Sequence, residues 1–245
     1  MTANTVYFVT GANRGIGLEL VTQLAARPST VVYGTARNLS AAKELHQLAA
    51  KYPNFKPLEA DVTKQDTIEA AAKLVDEEQG HVDILLSNAA LADEYVLVKD
   101  FEVDSLSRFF ETNTKGPIIV YKAFRPLLLK STQEKKLVFL STIASSISQY
   151  YPLPCPAYGA SKAAMNYLVR AIAAESKDDG FKVISLHPGA VSTDAGKLGA
   201  QNIDFAGLGI EVITPAKSAE RVLAITDELD VSDKFYSYTG DEMKW

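Results

Sequence analysis

Tyr158 and Lys162, in the segment Tyr-Gly-Ala-Ser-Lys, have a spacing that suits proton-transfer chemistry. Side chains four residues apart are neighbours on a helix surface, so we expect the Lys162 ammonium to lie near the Tyr158 phenol. A nearby cation favours phenolate and would lower the phenol pKa from about 10 towards the working pH. The pair is a candidate general acid or base, and an ordinary amphipathic helix pair is the alternative interpretation.

A glycine-rich turn near the N-terminus could bind phosphate groups. The apolar run Val6–Thr10 is followed by Gly-Ala-Asn-Arg-Gly-Ile-Gly and then by a helical pattern. Glycines in this context let the backbone approach a pyrophosphate at a helix N-terminus. The spacing differs from the common G-x-G-x-x-G fingerprint, so a turn without a ligand is the alternative. The candidate cofactor-binding residues here are Gly11, Asn13, Arg14, Gly15, Ile16 and Gly17.

The residues after the second predicted strand indicate which dinucleotide would bind. A carboxylate there would bind the ribose 2′-hydroxyl of NAD, whereas an arginine accommodates a 2′-phosphate. The chain reads Thr35-Ala-Arg37, and Arg14 offers a second guanidinium. Because guanidinium groups suit phosphate geometry, the pattern favours NADP(H). A solvated surface arginine at position 37 is the alternative.

Motifs along essentially the whole chain resemble those of the short-chain dehydrogenase/reductase family, in its compact single-domain branch. In chain order they are Thr10–Gly17, Asp61-Val62, Asn88-Ala-Ala90, Asn113, Leu140-Ser-Thr142, Tyr158-x-x-x-Lys162, Pro188-Gly189, Val191 and Thr193. The ending Phe235–Gly240 with Trp245 further resembles sniffer and C-factor-like carbonyl reductases and fungal norsolorinic acid ketoreductases. The resemblance implies an NADP-dependent oxidoreductase that reversibly reduces a ketone or aldehyde to an alcohol.

The resemblance also implies a role for each matching position. Tyr158 would donate or accept the proton, Lys162 would lower its pKa and bind the nicotinamide ribose, and Asn113 would support a water chain behind Lys162. Asp61 would accept a hydrogen bond from the adenine amino group. The other implied cofactor-binding residues are Val62, Asn88, Ala89, Pro188, Gly189, Val191 and Thr193.

Two positions depart from the family pattern. The usual Ser-Ser pair after the fifth strand reads Ser141-Thr142, so Thr142 is the candidate third catalytic residue; a count of about thirteen residues back from Tyr158 reaches Ser145 instead. We favour Thr142, because Tyr150–Pro156 resembles a short insertion. The second departure is Asn-Ala-Ala at 88–90 in place of Asn-Ala-Gly, which leaves less room beside the cofactor without abolishing its binding.

The elements that must position these residues alternate along the chain. Short apolar or β-branched runs occur between longer patterns of helical period, which predicts an α/β fold with a doubly wound parallel sheet (Rossmann) of about seven strands and helices on both faces. The predicted strands are Val6–Thr10, Val31–Thr35, Lys56–Ala60, Ile84–Ser87, Leu137–Ser141, Val183–His187 and Phe235–Tyr238. The predicted helices are Gly17–Ala26, Ser40–Lys51, Lys64–Gln79, Val103–Lys130, Tyr158–Ser176 and Pro215–Glu228.

We predict one domain over residues 1–245, with a substrate lid at 193–214. That stretch contains four glycines and fits neither period, so we expect it to be unstructured and mobile. The segments Leu91–Tyr95 and Tyr150–Cys155, with Leu198 and Phe205, would line the substrate entrance. Because this lining is mostly apolar and aromatic, it favours a hydrophobic carbonyl or alcohol substrate.

Composition excludes several other partners. Charged residues make up 22% of the chain and the net charge is −5, which argues against nucleic acid or an anionic membrane as the main partner. With one cysteine, no secretion signal and no spanning apolar run, we expect a reducing, cytoplasmic location. Family resemblance suggests a homo-oligomer, a dimer or tetramer.

The remaining histidines and Cys155 are assigned no chemistry. His46 and His81 form no metal-like cluster, so no metal site is predicted. His187 is expected to be a strand-end histidine satisfied by hydrogen bonds, and Cys155 to pack against substrate. A non-catalytic NADP-binding sensor or scaffold on the same fold is the competing function.

Overall fold

A seven-stranded parallel sheet forms the centre of the computed structural model, which describes residues 4–245. The strands are β1 Thr5–Val9, β2 Thr30–Ala36, β3 Phe55–Glu59, β4 Ile84–Ser87, β5 Lys135–Leu140, β6 Phe181–His187, β7 Ala190–Val191, β8 Val212–Ile213 and β9 Lys234–Ser237. The sheet order is β3-β2-β1-β4-β5-β6-β9, and every neighbouring pair is parallel. A small parallel pair, β7-β8, lies outside this sheet.

Helices cover both faces of the sheet. They are α1 Gly15–Ala25, α2 Lys43–Lys51, α3 Gln65–Gln79, α4 Ser105–Phe110, α5 Gly116–Lys130, α6 Pro156–Glu175, α7 Asp194–Ala200 and α8 Pro215–Asp227. One apolar core lies between the sheet and α3, α5 and α6, and a second lies between the sheet and α1, α2 and α8. Burial on both faces explains the continuous apolar runs, and the predicted doubly wound fold is confirmed.

The strand predictions agree with the structure to within a few residues, whereas one predicted helix is interrupted. Val103–Lys130 contains α4, a π-helical turn at Glu111–Lys115, and α5. The periodicity of apolar residues did not reveal the wider turn, because it depends on contacts of Asn113 with other parts of the chain.

The prediction that residues 193–214 are unstructured is wrong. The stretch contains α7 and β8, and the side chain of Thr193 caps α7 by accepting a hydrogen bond from the Gly196 amide at 3.1 Å. The glycines lower helix propensity, but close packing requires them, since a Cβ on Gly196 would lie 1.7 Å from the Val191 carbonyl oxygen.

The topology places the candidate residues at one edge of the sheet. β1 and β4 are neighbours, and the strand order reverses between them. In doubly wound folds the crevice outside the carboxyl ends of the strands at this point is where ligands bind. Within residues 4–245, no helix is both long and apolar enough to cross a bilayer, and no His, Cys, Asp and Glu cluster is arranged to hold a metal ion.

Candidate active site

The glycine turn has the close packing that its sequence predicts. Gly11 and Gly15 have φ values of +67° and +57°, in the left-handed region that favours glycine. A Cβ on Gly17 would lie 2.1 Å from the Gly11 carbonyl oxygen, so only glycine fits there without a shift. Asn13 is exposed and Ile16 packs against the core of α1.

Helix α1 begins at this turn without a side-chain cap. Arg14 is the N-cap residue, its side chain makes no capping hydrogen bond, and no acidic residue lies in the first turn. The first amides of the helix and its dipole are therefore available to an anion. The turn fits a dinucleotide pyrophosphate in both shape and charge.

Arg37 and Arg14, the two candidate phosphate donors, have different surroundings. Arg37 follows β2 directly and is exposed, and within residues 4–245 its side chain has no salt bridge or hydrogen bond. Arg14 instead lies 3.4 Å from the Asp194 carboxylate at the start of α7. Arg37 is thus the guanidinium with free donors at the end of β2.

The strand ends beside β1 are joined by hydrogen bonds. The Asn88 side chain donates to the carbonyl oxygens of Thr10 and Gly11 at 2.9 and 3.0 Å, and the Thr10 hydroxyl accepts from the Asn88 and Ala89 amides. Asn88 therefore fixes the glycine turn to the end of β4. The Asp61 carboxylate accepts from the Thr63 amide and hydroxyl.

Val62 and the Pro188-Gly189 turn are also placed by packing. Val62 is buried, and a Cβ on Gly116 would lie 3.0 Å from it. The Pro188 carbonyl accepts from the Ser218 hydroxyl at 2.7 Å. Gly189 has a φ of +94° and packs on the Tyr238 ring.

Thr193 faces the glycine turn from the other side of the crevice. A Cβ on Gly15 would lie 3.0 Å from the Thr193 methyl group. Val191 lies in β7 and is buried, and its carbonyl contacts the backbone of α7. The β7–α7 connection therefore approaches the turn after β1, so the two segments could hold opposite parts of one extended ligand.

Tyr158 lies in the first turn of α6 beside Thr142. Gly159 allows this approach, since a Cβ there would lie 2.7 Å from the Ala144 carbonyl oxygen in the 3₁₀ turn Ile143–Ser145. Burial raises the pKa of Tyr158, the nearby Cys155 and Tyr95 raise it further, and the Thr142 hydroxyl acts in the opposite direction. At neutral pH the phenol is protonated and can donate.

The pKa direction at Tyr158 differs from the sequence-based expectation. Lys162 is one turn away, as predicted, but its Nζ donates to the Leu140 carbonyl oxygen at 2.7 Å and lies 3.9 Å from the Met165 sulfur. Burial lowers the pKa of Lys162 to about 7. Because the ammonium is directed to β5 and costs free energy to bury, it does not offset the effect of burial on the phenol here.

The two candidate hydroxyls have separate environments. The Thr142 hydroxyl lies beside Tyr158 and, among residues 4–245, accepts one local hydrogen bond, from the Ala144 amide at 3.2 Å. The buried Ser145 hydroxyl donates to the Thr142 carbonyl at 2.6 Å and accepts from the Asn166 side chain at 2.8 Å. Of the two candidates, Thr142 is the one whose hydroxyl lies beside Tyr158 and has capacity to bind a further group.

Asn113 is fully buried in the π-helical turn between α4 and α5. Its side chain exchanges hydrogen bonds with the Leu91 amide and carbonyl at 2.8 and 2.9 Å, and donates to the Ser161 hydroxyl at 3.0 Å. Asn113 therefore joins the segment after β4 to α6, one residue before Lys162. π-turns are often found at functional sites.

His187 and Cys155 behave differently from each other. Burial lowers the pKa of His187 to about 4, and its Nδ1 has no hydrogen-bond partner within the described residues 4–245. The expectation that hydrogen bonds satisfy this histidine is wrong, because the ring packs edge-on against Tyr238, which supplies no partner to Nδ1. Burial raises the pKa of Cys155 to about 11, so its thiol is protonated and a poor nucleophile at neutral pH.

Sequence reasoning did not find the role of Asn166. It is buried and hydrogen-bonds to both Ser141, the residue after β5, and Ser145 in the 3₁₀ turn that packs on α6. Its position one turn after Lys162 was the available signal, since a polar residue on an otherwise buried helix face needs a partner.

Comparison with known proteins finds the same family by two routes, a family model and individual relatives. A family model described as short chain dehydrogenase matches residues 5–204. An uncharacterized oxidoreductase of Schizosaccharomyces pombe is 38% identical over 98% of this chain and 97% of that protein. The norsolorinic acid ketoreductase of Aspergillus parasiticus is 31% identical over 98% of this chain and 91% of that protein.

Solved structures with the same fold include two carbonyl reductases. The NADPH-bound carbonyl reductase from chicken fatty liver is 30% identical with a TM-score of 0.89, and both chains are covered completely. The carbonyl reductase Sniffer of D. melanogaster is 26% identical with a TM-score of 0.88, again over the whole of both chains. The similarity therefore includes the segments on both sides of the crevice.

Proposed function

Because the chain belongs to the short-chain dehydrogenase/reductase family of oxidoreductases, we propose that it is an NADPH-dependent carbonyl reductase. It would reduce a ketone or aldehyde on a hydrophobic body to an alcohol, in a reversible reaction. The observation that carries this proposal is the placement of Tyr158 beside Thr142, at the same sheet edge as the uncapped glycine turn. The two solved carbonyl reductases that this chain resembles support the same chemistry.

NADP(H) fits the residues at the nucleotide end. The turn Gly11–Gly17 would hold the pyrophosphate, Arg37 the 2′-phosphate and Asp61 with Val62 the adenine, while Thr193 lies where the β7–α7 connection faces the turn. When bound, the reduced cofactor supplies a hydride. Asn88 would act by fixing the turn, because both of its amide hydrogen bonds go to turn carbonyls.

The chain's own residues would supply the proton and orient the substrate. The Tyr158 phenol, protonated because burial raises its pKa, would donate its proton to the carbonyl oxygen. The Thr142 hydroxyl would hydrogen-bond the same oxygen and orient it. The buried Lys162, with a pKa lowered to about 7, would return a proton towards Tyr158 after turnover, with Asn113 fixing the neighbouring turn of α6.

Replacement of Arg37 tests the cofactor assignment. In Arg37→Ala we expect the Kd for NADPH to rise about 10- to 100-fold, because a hydrogen-bonded charge is lost, whereas the Kd for NADH stays the same. Quenching of protein fluorescence by each nucleotide measures both constants. Lys177→Ala is the control, since Lys177 is exposed in the loop before β6, at the opposite edge of the sheet. Equal losses for NADPH and NADH in Arg37→Ala would contradict the 2′-phosphate role.

Replacement of Thr142 tests which hydroxyl acts. In Thr142→Val we expect kcat/KM for a carbonyl substrate to fall about 100-fold, because the donor to the reacting oxygen is lost. Thr142→Ser should retain activity within about tenfold. Ser145→Ala should instead lower the free energy of unfolding by about 1–3 kcal/mol, because Asn166 loses a buried partner. An active Thr142→Val enzyme together with an inactive, fully stable Ser145→Ala enzyme would reverse the assignment.

A carbonyl panel with NADPH and NADH tests the proposal as a whole. We expect turnover of hydrophobic ketones or aldehydes, with NADPH preferred. Tight NADPH binding without turnover of any member would contradict catalysis and support a sensor or scaffold. The cytoplasmic location and the homo-oligomeric state stay predictions.

A further inference from the structure

A second tyrosine hydroxyl joins two segments that border the proposed site. Tyr95 lies in the segment 91–99, here called the arm, which connects β4 to α4. Its hydroxyl donates to the Ala195 carbonyl oxygen in the first turn of α7 at 3.2 Å, across 100 residues of sequence. In the part of the chain that the structure describes, no strand pairing joins the arm to α7, and this hydrogen bond is made by the Tyr95 side chain.

Helix α7 is shaped to receive the Tyr95 ring. Gly199 is buried on α7, and a Cβ there would lie 3.0 Å from the Tyr95 hydroxyl oxygen and 3.2 to 3.3 Å from two ring carbons. Because Gly199 has no side chain, the Tyr95 ring can lie directly against the backbone of α7. This contact therefore favours glycine at position 199, whereas the helix itself would be more stable with alanine.

The arm that carries Tyr95 is held in place at two points. Asn113 exchanges hydrogen bonds with the backbone of Leu91, and the Arg108 guanidinium binds the carboxylates of Asp93 and Glu94 at 2.6 and 2.9 Å. Tyr95 therefore extends from a support that its own neighbours hold, and its hydroxyl reaches α7. Asn113 also donates to the Ser161 hydroxyl, so it connects the arm to α6, the helix that carries Tyr158.

The other side of α7 faces the nucleotide end. Asp194 pairs with Arg14 in the glycine turn at 3.4 Å, and Thr193 contacts Gly15. The Arg14 pair is exposed and contributes little, since surface ion pairs are typically worth no more than about 1 kcal/mol. Tyr95 is half-buried, and burial raises its pKa to about 12, so its hydroxyl stays protonated and donates at physiological pH. Tyr95 also contributes to the raised pKa of Tyr158, so it belongs to the electrostatic surroundings of the proposed proton donor.

We propose that Tyr95 is a positioning residue that holds α7 closed over the crevice, so that it controls how fast NADP(H) is released. The proposal rests on the function proposed above for its physiological meaning, although the contact itself does not depend on turnover. The ring and hydroxyl of Tyr95 together form a latch: the ring fits against Gly199 and the hydroxyl bonds to Ala195. In this proposal Tyr95 of the arm is the contact partner of α7, which belongs to the segment 193–214.

Two single variants and their combination test the latch. In Tyr95→Phe the hydroxyl is lost, and we expect hydrogen exchange of the amides of residues 194–200 and the dissociation rate of NADPH to rise about three- to tenfold. In Gly199→Ala the new methyl group would lie 3.0 Å from the hydroxyl oxygen, so the Tyr95 side chain must shift slightly. We expect both rates to change in the same direction as in Tyr95→Phe. In the double variant the methyl no longer meets an oxygen, although it still lies close to the two ring carbons that phenylalanine retains. Gly199→Ala should therefore add less to Tyr95→Phe than it does to the unmodified chain.

Tyr167→Phe is the matched control, because Tyr167 is an exposed tyrosine on α6 at 75% accessibility and its loss should change neither rate. Exchange is measured on the full chain alone and with NADPH, and dissociation by stopped-flow fluorescence. Unchanged exchange at 194–200 in Tyr95→Phe, or additive effects in the double variant, would overturn the latch. If no carbonyl is turned over, the exchange measurement still decides, so failure of the latch and failure of the proposed function are distinguishable.

Discussion

Tyr158→Phe is expected to abolish nearly all carbonyl reduction while the enzyme still binds NADPH. The change removes one oxygen from a residue in the first turn of α6 and leaves the ring in place. Loss of a general acid typically costs 10²- to 10⁴-fold, so we expect kcat/KM to fall by about 10³-fold. Steady-state assays and fluorescence titration with NADPH measure the two quantities separately.

The raised pKa of Tyr158 adds a pH dependence to this expectation. A phenol whose pKa is raised remains protonated through the neutral range, so Tyr158 itself adds little pH dependence to reduction between pH 6 and 9. Lys162 loses its proton as the pH rises through about 7, so the return of a proton to Tyr158, and with it reduction, should slow above that pH. Alcohol oxidation needs the phenolate and should rise with pH over the same range. Both profiles should be absent in Tyr158→Phe.

Tyr167→Phe provides the control for this variant, since it removes a hydroxyl from an exposed tyrosine on the same helix. Its kcat/KM and its NADPH affinity should match those of the unmodified enzyme. Turnover by Tyr158→Phe within about threefold of the unmodified rate would mean that another group supplies the proton.

The strands could be predicted from the sequence because burial on both faces leaves a strong local pattern. β2, for example, is buried along its whole length, and its residues are apolar, small or β-branched. The order of the motifs then places the glycine turn and the Tyr158 helix at one sheet edge, since the carboxyl ends of parallel strands meet there. The fold and the approximate place of the site thus follow from local sequence and general topology.

The direction of Lys162 could not be predicted from spacing. Its position four residues after Tyr158 puts both side chains on one face of α6, but a long side chain can extend to any acceptor within reach. The carbonyl of Leu140 is such an acceptor, and it belongs to a strand distant in sequence. The direction of the Lys162 side chain is therefore set by a hydrogen bond to another element, and helix geometry alone does not determine it.

The glycines of α7 show a similar effect of tertiary packing. Gly196 and Gly199 are spaced like one helix face, yet glycine weakens a helix by about 1 kcal/mol relative to alanine, and the segment was not predicted to be helical. The Val191 carbonyl oxygen occupies the place of a side chain at Gly196, and the Tyr95 ring lies close to the place of one at Gly199. These neighbours are distant in sequence or unknown before the fold is known, so the sequence shows only that glycine has a low helix propensity.

Gly17→Ala is expected to damage cofactor binding through the same type of contact, with a larger effect. The new Cβ would lie 2.1 Å from the Gly11 carbonyl oxygen and 2.5 Å from the Asn88 amide nitrogen, two atoms that are hydrogen-bonded to each other. The glycine turn must therefore move away from the end of β4. We expect the free energy of unfolding to fall by about 1–3 kcal/mol, as in other overpacked sites.

The Kd for NADPH should rise by at least tenfold in Gly17→Ala, because turn amides lose their alignment with a charged phosphate and such hydrogen bonds contribute about 1.5–3 kcal/mol each. Fluorescence titration measures the Kd, and thermal unfolding measures the stability. Gly80→Ala is the matched control: its φ is +76°, so the substitution is strained, but nothing lies within 4 Å of the new Cβ. It should lower stability by about 1 kcal/mol and leave the Kd unchanged.

If Gly17→Ala does not fold, Asn88→Ala can still test whether the glycine turn holds the cofactor. It removes the bonds to the Thr10 and Gly11 carbonyls without adding an atom, so the turn loosens while the core stays packed. The Kd for NADPH should then rise by a smaller factor, about threefold to tenfold. Unchanged NADPH affinity in Asn88→Ala and in a folded Gly17→Ala enzyme would mean that the turn after β1 does not hold the cofactor, and the phosphate site would have to lie elsewhere on the chain.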